Sequence, residues 1–156
     1  MDKKLIILFV VFFTSILAIG SVSAVNLSNR DFDGYFSMDV PKGATFQKDI
    51  NITDEDGIKN IYAEYTNDNI AIYYSDSPAF SENSSAWFFQ TMFEVVNPDL
   101  SKCYESQEDN LRILEPTANN HLTFSIVGTS EGNKIIMVFG QDLNLIKQMG
   151  HSIKFK

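Results

Sequence analysis

The side chains best suited to metal or nucleophilic chemistry are few: one cysteine, Cys103, and two histidines, His121 and His151. The histidines stand far apart, with no His-x-x-x-His or Cys-x-x-Cys spacing, so the ligand set of a zinc site does not assemble from them. Each reads instead as an element boundary. His121 begins a strand, and His151 closes the last helix, where a cationic ring would complement the helix dipole. Nucleophilic catalysis asks for a Ser or Cys beside a base held by a third group; with two histidines in these settings, and no nucleophile elbow expected, nothing specific is offered. Cys103, in Ser101-Lys102-Cys103-Tyr104-Glu105, has no basic cluster around it and reads as a structural thiol. As the lone cysteine it rules out an intramolecular disulfide.

Oxygen ligands are more plentiful. Asp54-Glu55-Asp56-Gly57 and Asp31-Phe32-Asp33-Gly34 gather hard donors, yet neither has the twelve-position spacing of a calcium loop. Both read as solvated turns. Many carboxylates leave a glycosidase-type pair open by composition, but a domain of this size seldom encloses a sugar cleft. No metal or cofactor is expected. The chain is rich in aromatic residues, with 13 Phe and 6 Tyr, and periodicity assigns Phe88, Phe89, Phe124 and Phe139 to a core. Tyr62, Tyr65, Tyr73 and Tyr74, on one predicted hairpin, are the candidates for a ligand-facing surface. Asn26, Asn51 and Asn83 each open an Asn-x-Ser/Thr glycosylation triplet.

The balance of 12 Lys and Arg against 20 Asp and Glu gives a net charge of −8. Such a surface repels phosphate backbones and anionic lipid heads, so nucleic acid is not an expected partner. Met1-Asp2-Lys3-Lys4 precedes an uncharged apolar run over 5–19 and the small-residue sequence Val22-Ser23-Ala24, the anatomy of a signal peptide. The run falls short of the about 20 apolar residues of a spanning helix. Cleavage after Ala24 is the preferred reading, with an uncleaved anchor as the alternative. No cysteine lies nearby to carry a lipid. Residues 1–24 are thus a signal peptide or N-terminal membrane anchor, the chain's expected contact with a membrane, and the rest is extracytoplasmic, secreted or anchored at the cell surface.

Residues 25–34 are polar and read as a tether. The remainder, 35–156, is long enough for one domain that folds without staples. Alternation and turn residues predict strands over 35–40 and 46–52, a hairpin over 58–65 and 69–74, and strands over 111–115, 121–128 and 134–140. The segment 100–110 is polar and carries no strand signal. Helical spacing marks 84–96, ended by Pro98, and a closing helix capped by Asp142 with a stripe of Leu143, Ile146, Met149 and Ile153. The expected fold is α+β: an antiparallel sheet of about six strands with helices packed on its faces.

The opening Tyr35-Phe36-Ser37-Met38-Asp39-Val40-Pro41-Lys42-Gly43, together with the final strand, helix and Ser152-Ile153-Lys154-Phe155 tail, resembles the PsbP-like superfamily over about residues 34–155. That resemblance implies an α/β/α sandwich and a mostly non-catalytic accessory or binding role, often in exported proteins. It carries over no functional residue, since fold does not fix function. The expectation is therefore an exported, non-enzymatic domain that binds a protein or small ligand. A small hydrolase with a carboxylate site and a calcium-dependent surface module are the alternatives.

Overall fold

The computed structural model describes residues 25–43, 46–53, 58–65, 69–77, 102–119 and 123–156. They form ten strands and one helix: β1 (Leu27–Phe32), β2 (Phe36–Pro41), β3 (Phe46–Thr53), β4 (Lys59–Tyr65), β5 (Ile70–Asp76), β6 (Cys103–Glu108), β7 (Leu111–Pro116), β8 (Ser125–Glu131), β9 (Lys134–Gly140), α1 (Leu143–His151) and β10 (Lys154–Phe155). Seven strands make one sheet in the order β3-β4-β5-β9-β8-β7-β6, and three make a second in the order β1-β2-β10. Neighbouring strands in both sheets run antiparallel.

Turn chemistry sets the register. The β8–β9 hairpin pairs Glu131 with Lys134 around Gly132-Asn133, where Gly132 takes φ +57°. A two-residue loop asks for that left-handed backbone, which glycine adopts without steric cost. The β6–β7 hairpin pairs Glu108 with Leu111 and places Asp109 at φ +53°, a conformation that aspartate tolerates better than most residues.

Strand alternation sends Ile61, Ile72, Tyr74, Ile136, Val138 and Val127 of the large sheet to one face, where they meet Phe36, Met38 and Val40 of β2 and Leu145, Ile146 and Met149 of α1 in a single buried cluster. The small sheet and α1 thus cover this face together. The other face carries Tyr62, Tyr73, Met137, Phe139, Ile126 and Leu114, also buried. Burial on both faces explains the unbroken apolar run Ile135-Ile136-Met137-Val138-Phe139, which shows no alternation. Helix α1 packs on β8, β9, β2 and β7. Its Asp142 cap accepts from the Leu145 amide at 3.1 Å, and Gly150 lets it approach the sheet: a Cβ there would lie 2.8 Å from Val127 Cγ1.

Three expectations need correction. The fold is not an α+β sandwich with helices on its sheet faces. It is mostly antiparallel β in two sheets, with one short helix among the described residues. The count of about six strands misses β6 because its burial is slight along its whole length, so selection imposes no apolar alternation on it. Residues 25–34 are not simply a tether. Leu27–Phe32 is β1, an edge strand paired with β2 throughout, and its polar side chains face water while its backbone holds the ladder. The helix expected over 84–96 lies outside the described residues. The closing helix, its cap and the Ile146 and Met149 stripe stand as read, with Leu143 and Ile153 partly buried against the core.

Candidate functional site

The hairpin tyrosines separate onto two faces. Tyr62 pairs with Tyr73 across β4 and β5, whereas Tyr74 points to the other side. There its ring stacks on Phe36 at 5.2 Å and tilts against Tyr35 at 5.9 Å. The phenols are tied down: Tyr73 donates to Asn60 Oδ1 at 2.8 Å, Tyr74 to Asp76 Oδ2 at 3.4 Å and Tyr62 to Glu64 Oε2 at 3.5 Å. Burial pushes all three well above the usual phenol range, with the Glu64 carboxylate adding to the effect on Tyr62 and the Asp76 carboxylate on Tyr74. They are neutral at every physiological pH. The side chain of Tyr65 lies outside the described set. The structure therefore brings Tyr62 and Tyr73 together and sends Tyr74 to the core.

The other predicted positions are dispersed. Asn26 is exposed just before β1, with its carbonyl accepting from the Lys42 amide at 2.7 Å. Asn51 sits in β3 opposite Ile61. Asn83, His121 and the turn 54–57 lie outside the described residues. In the Asp31–Gly34 turn, Asp31 Oδ1 accepts from the Gly34 amide at 2.6 Å and Oδ2 is ion-paired with Lys156, so both carboxylate oxygens are engaged. Among the described residues no group of three or more His, Cys, Asp or Glu gathers as a cation would require.

One spacing escaped the sequence reading. Gly128-Thr129-Ser130-Glu131-Gly132 has the Gly-x-Ser-x-Gly order of a nucleophile elbow. An elbow is a sharp strand-to-helix turn, but Ser130 lies inside β8 opposite Ile135, and the chain continues through a hairpin into β9. The serine is exposed on a ladder rather than lifted over a sheet end.

Among the described residues the most exposed strand is β6, at the end of the large sheet. Five of its six residues are exposed, and Tyr104, 69% exposed, is the large hydrophobic side chain left in water among the described residues. Its edge geometry follows from one bond. Thr117 donates to the Lys102 carbonyl at 2.9 Å, and Cys103 stands opposite Pro116, which has no amide hydrogen. That makes Cys103–Pro116 a non-hydrogen-bonded pair of the antiparallel ladder. By alternation, Tyr104, Ser106 and Glu108 bond to β7, while Cys103, Glu105 and Gln107 direct their backbone N–H and C=O groups outward.

Ion pairs brace this edge from its own chain. Glu105 is paired with Arg112 of β7. Glu108 is held by Lys147 and, at 3.0 Å, by His151 Nε2, both from α1. Those two hydrogen bonds hold the Glu108 carboxyl below the usual carboxylate range. Sequence reasoning found His151 but not its partner, because the two lie 43 positions apart and on elements whose packing no local pattern reveals.

No family model matches the chain, and no curated protein matches it. Among solved structures the chain is similar to the solution structure of cyanobacterial PsbP from Synechocystis, at 12% identity and a TM-score of 0.46, covering 89% of this chain and 98% of that one. A likeness of this degree assigns no residue and no activity to the chain.

Proposed function

We propose that the protein is an exported, non-enzymatic domain that works outside the cytoplasm by binding another protein along the open edge of β6. The observation that carries this reading is the exposure of β6 together with its outward-facing backbone groups at Glu105 and Gln107, an edge open among the described residues. An unpaired strand edge offers a row of donors and acceptors to an incoming strand, and alternate side chains such as Tyr104 give the contact its selectivity. The basic-then-apolar leader supports export. The brace of Glu105 and Glu108 by Arg112, Lys147 and His151 keeps the edge near local neutrality, so a partner strand meets little net charge.

A photo-cross-linking residue placed at Gln107 in the full chain, expressed with its leader in its own host, tests the reading. The expected outcome is covalent protein adducts from Gln107 and none from Asn144, an exposed position on α1. Absence of adducts at both Gln107 and Tyr104 overturns it. Mass determination of the exported form checks the compartment: an N-terminus at Val25 is expected.

A further inference from the structure

The strand that best fits the β6 edge is β6 itself. Resting on the reading that this edge is the binding surface, we propose that its partner is a second copy of the chain, joined as an antiparallel β6–β6 pair about a two-fold axis through Ser106.

The register follows from the charges. A two-fold axis through a strand opposes residues whose numbers are symmetric about the axis. Through Glu105 it would set Glu105 against its own copy, and through Gln107 it would set Glu105 against Asp109 of the partner subunit. Like charges directly opposite are destabilising. An axis through Ser106 avoids both. It sets Glu105 against Gln107 of the partner subunit, an acceptor facing an amide donor, and repeats that contact by symmetry. It also sets Tyr104 against Glu108 of the partner subunit, beside the lysine and histidine that hold that carboxylate in each copy. The ring, exposed to water in a single copy, gains acceptor and cation neighbours in the pair.

The backbone agrees with this register. Glu105 and Gln107 direct their N–H and C=O groups outward, so each meets the other's copy in a hydrogen-bonded pair, while Ser106, already bonded to β7, falls in the non-hydrogen-bonded pair on the axis. An isologous contact of this kind closes on itself and joins two seven-stranded sheets into one.

Cross-linking of the full chain tests it. A non-hydrogen-bonded antiparallel pair holds its Cα atoms about 4.5 Å apart, within the roughly 4.4–6.8 Å that a disulfide spans. With Cys103→Ser to remove the native thiol, Ser106→Cys is expected to form a reducible dimer under mild oxidation. Wild-type Cys103, about 20 Å from its copy in this register at about 3.4 Å per residue, is expected to form no disulfide-linked dimer, and neither is Asn144→Cys. Adding Gln107→Pro deletes an outward amide without touching the bonds to β7, and is expected to cut the Ser106 dimer yield at least about tenfold. A monomeric Ser106→Cys chain overturns the proposal. So does equal dimer from Asn144→Cys, or an unchanged yield with Gln107→Pro. If photo-adducts at Gln107 then contain a different protein, the edge still binds and the second copy is wrong. If no adduct forms at all, both readings fall.

Discussion

Strands β2 and β6 are each six residues long, and each lies in an antiparallel ladder, yet their side chains meet opposite environments. In β2, Phe36, Ser37, Met38, Val40 and Pro41 are buried; in β6, Tyr104 to Glu108 are exposed. The difference is one of position. β2 lies between β1 and β10 and under α1, so its side chains have partners on the core face and its backbone has partners on both edges. β6 has β7 on one edge and charged braces on its flank, and its other edge is open among the described residues. The same backbone geometry therefore buries its side chains in one place and leaves them in water in the other.

Substitutions ranked along that contrast should separate the two roles. The largest effect is expected at Phe36, fully buried and stacked on Phe32 at 4.4 Å. Phe36→Ala should cost about 3–5 kcal/mol in urea denaturation, because it removes buried area and leaves a cavity. Gly150→Ala comes next. The helix gains up to about 1 kcal/mol of propensity, but the new methyl meets Val127 and Leu111, and overpacking at about 1–3 kcal/mol should win. A stabilised Gly150→Ala chain would show that α1 can shift off the sheet at little cost.

Ser152→Ala should cost about 1–2 kcal/mol. The hydroxyl donates to the Met149 carbonyl at 2.6 Å and accepts from the Asp39 amide at 2.7 Å, so it ties the end of α1 to β2, and its loss orphans a half-buried amide. Tyr104→Ala should change stability by less than about 0.5 kcal/mol while it weakens whatever binds at β6. A large loss of stability there would mean that β6 is part of the core after all.

The smallest effect concerns acid. Glu108 has its carboxyl lowered by Lys147 and His151, so its contribution is present above the ordinary glutamate range and is lost as pH falls through the depressed folded value. Hydrogen exchange at the end of α1 should rise over that window in the wild-type chain. In Glu108→Gln it should already be raised at neutral pH and lack that component of the acid response.

How much of this was written locally follows from what each element buries. β4 and β5 were legible because β-branched and aromatic residues crowd a two-sided, covered sheet, and β9 because it is apolar throughout. Helix α1 was legible because Asp142 caps it and Ile146 and Met149 repeat at helical spacing. β1 and β6 were not, since an edge strand that keeps its side chains in water has no alternation to display.

By itself, the order of residues determined the basic-then-apolar opening run, the acidic balance, the hairpin turns and the apolar stripes, all of which depend on neighbours within a few positions. Only the tertiary structure decided that the chain divides into two sheets, that Tyr74 turns inward while Tyr62 and Tyr73 share the opposite face, and that Glu108 meets Lys147 and His151. These are contacts between residues distant in the chain, and their energies come from burial and charge placement that no short window of sequence contains.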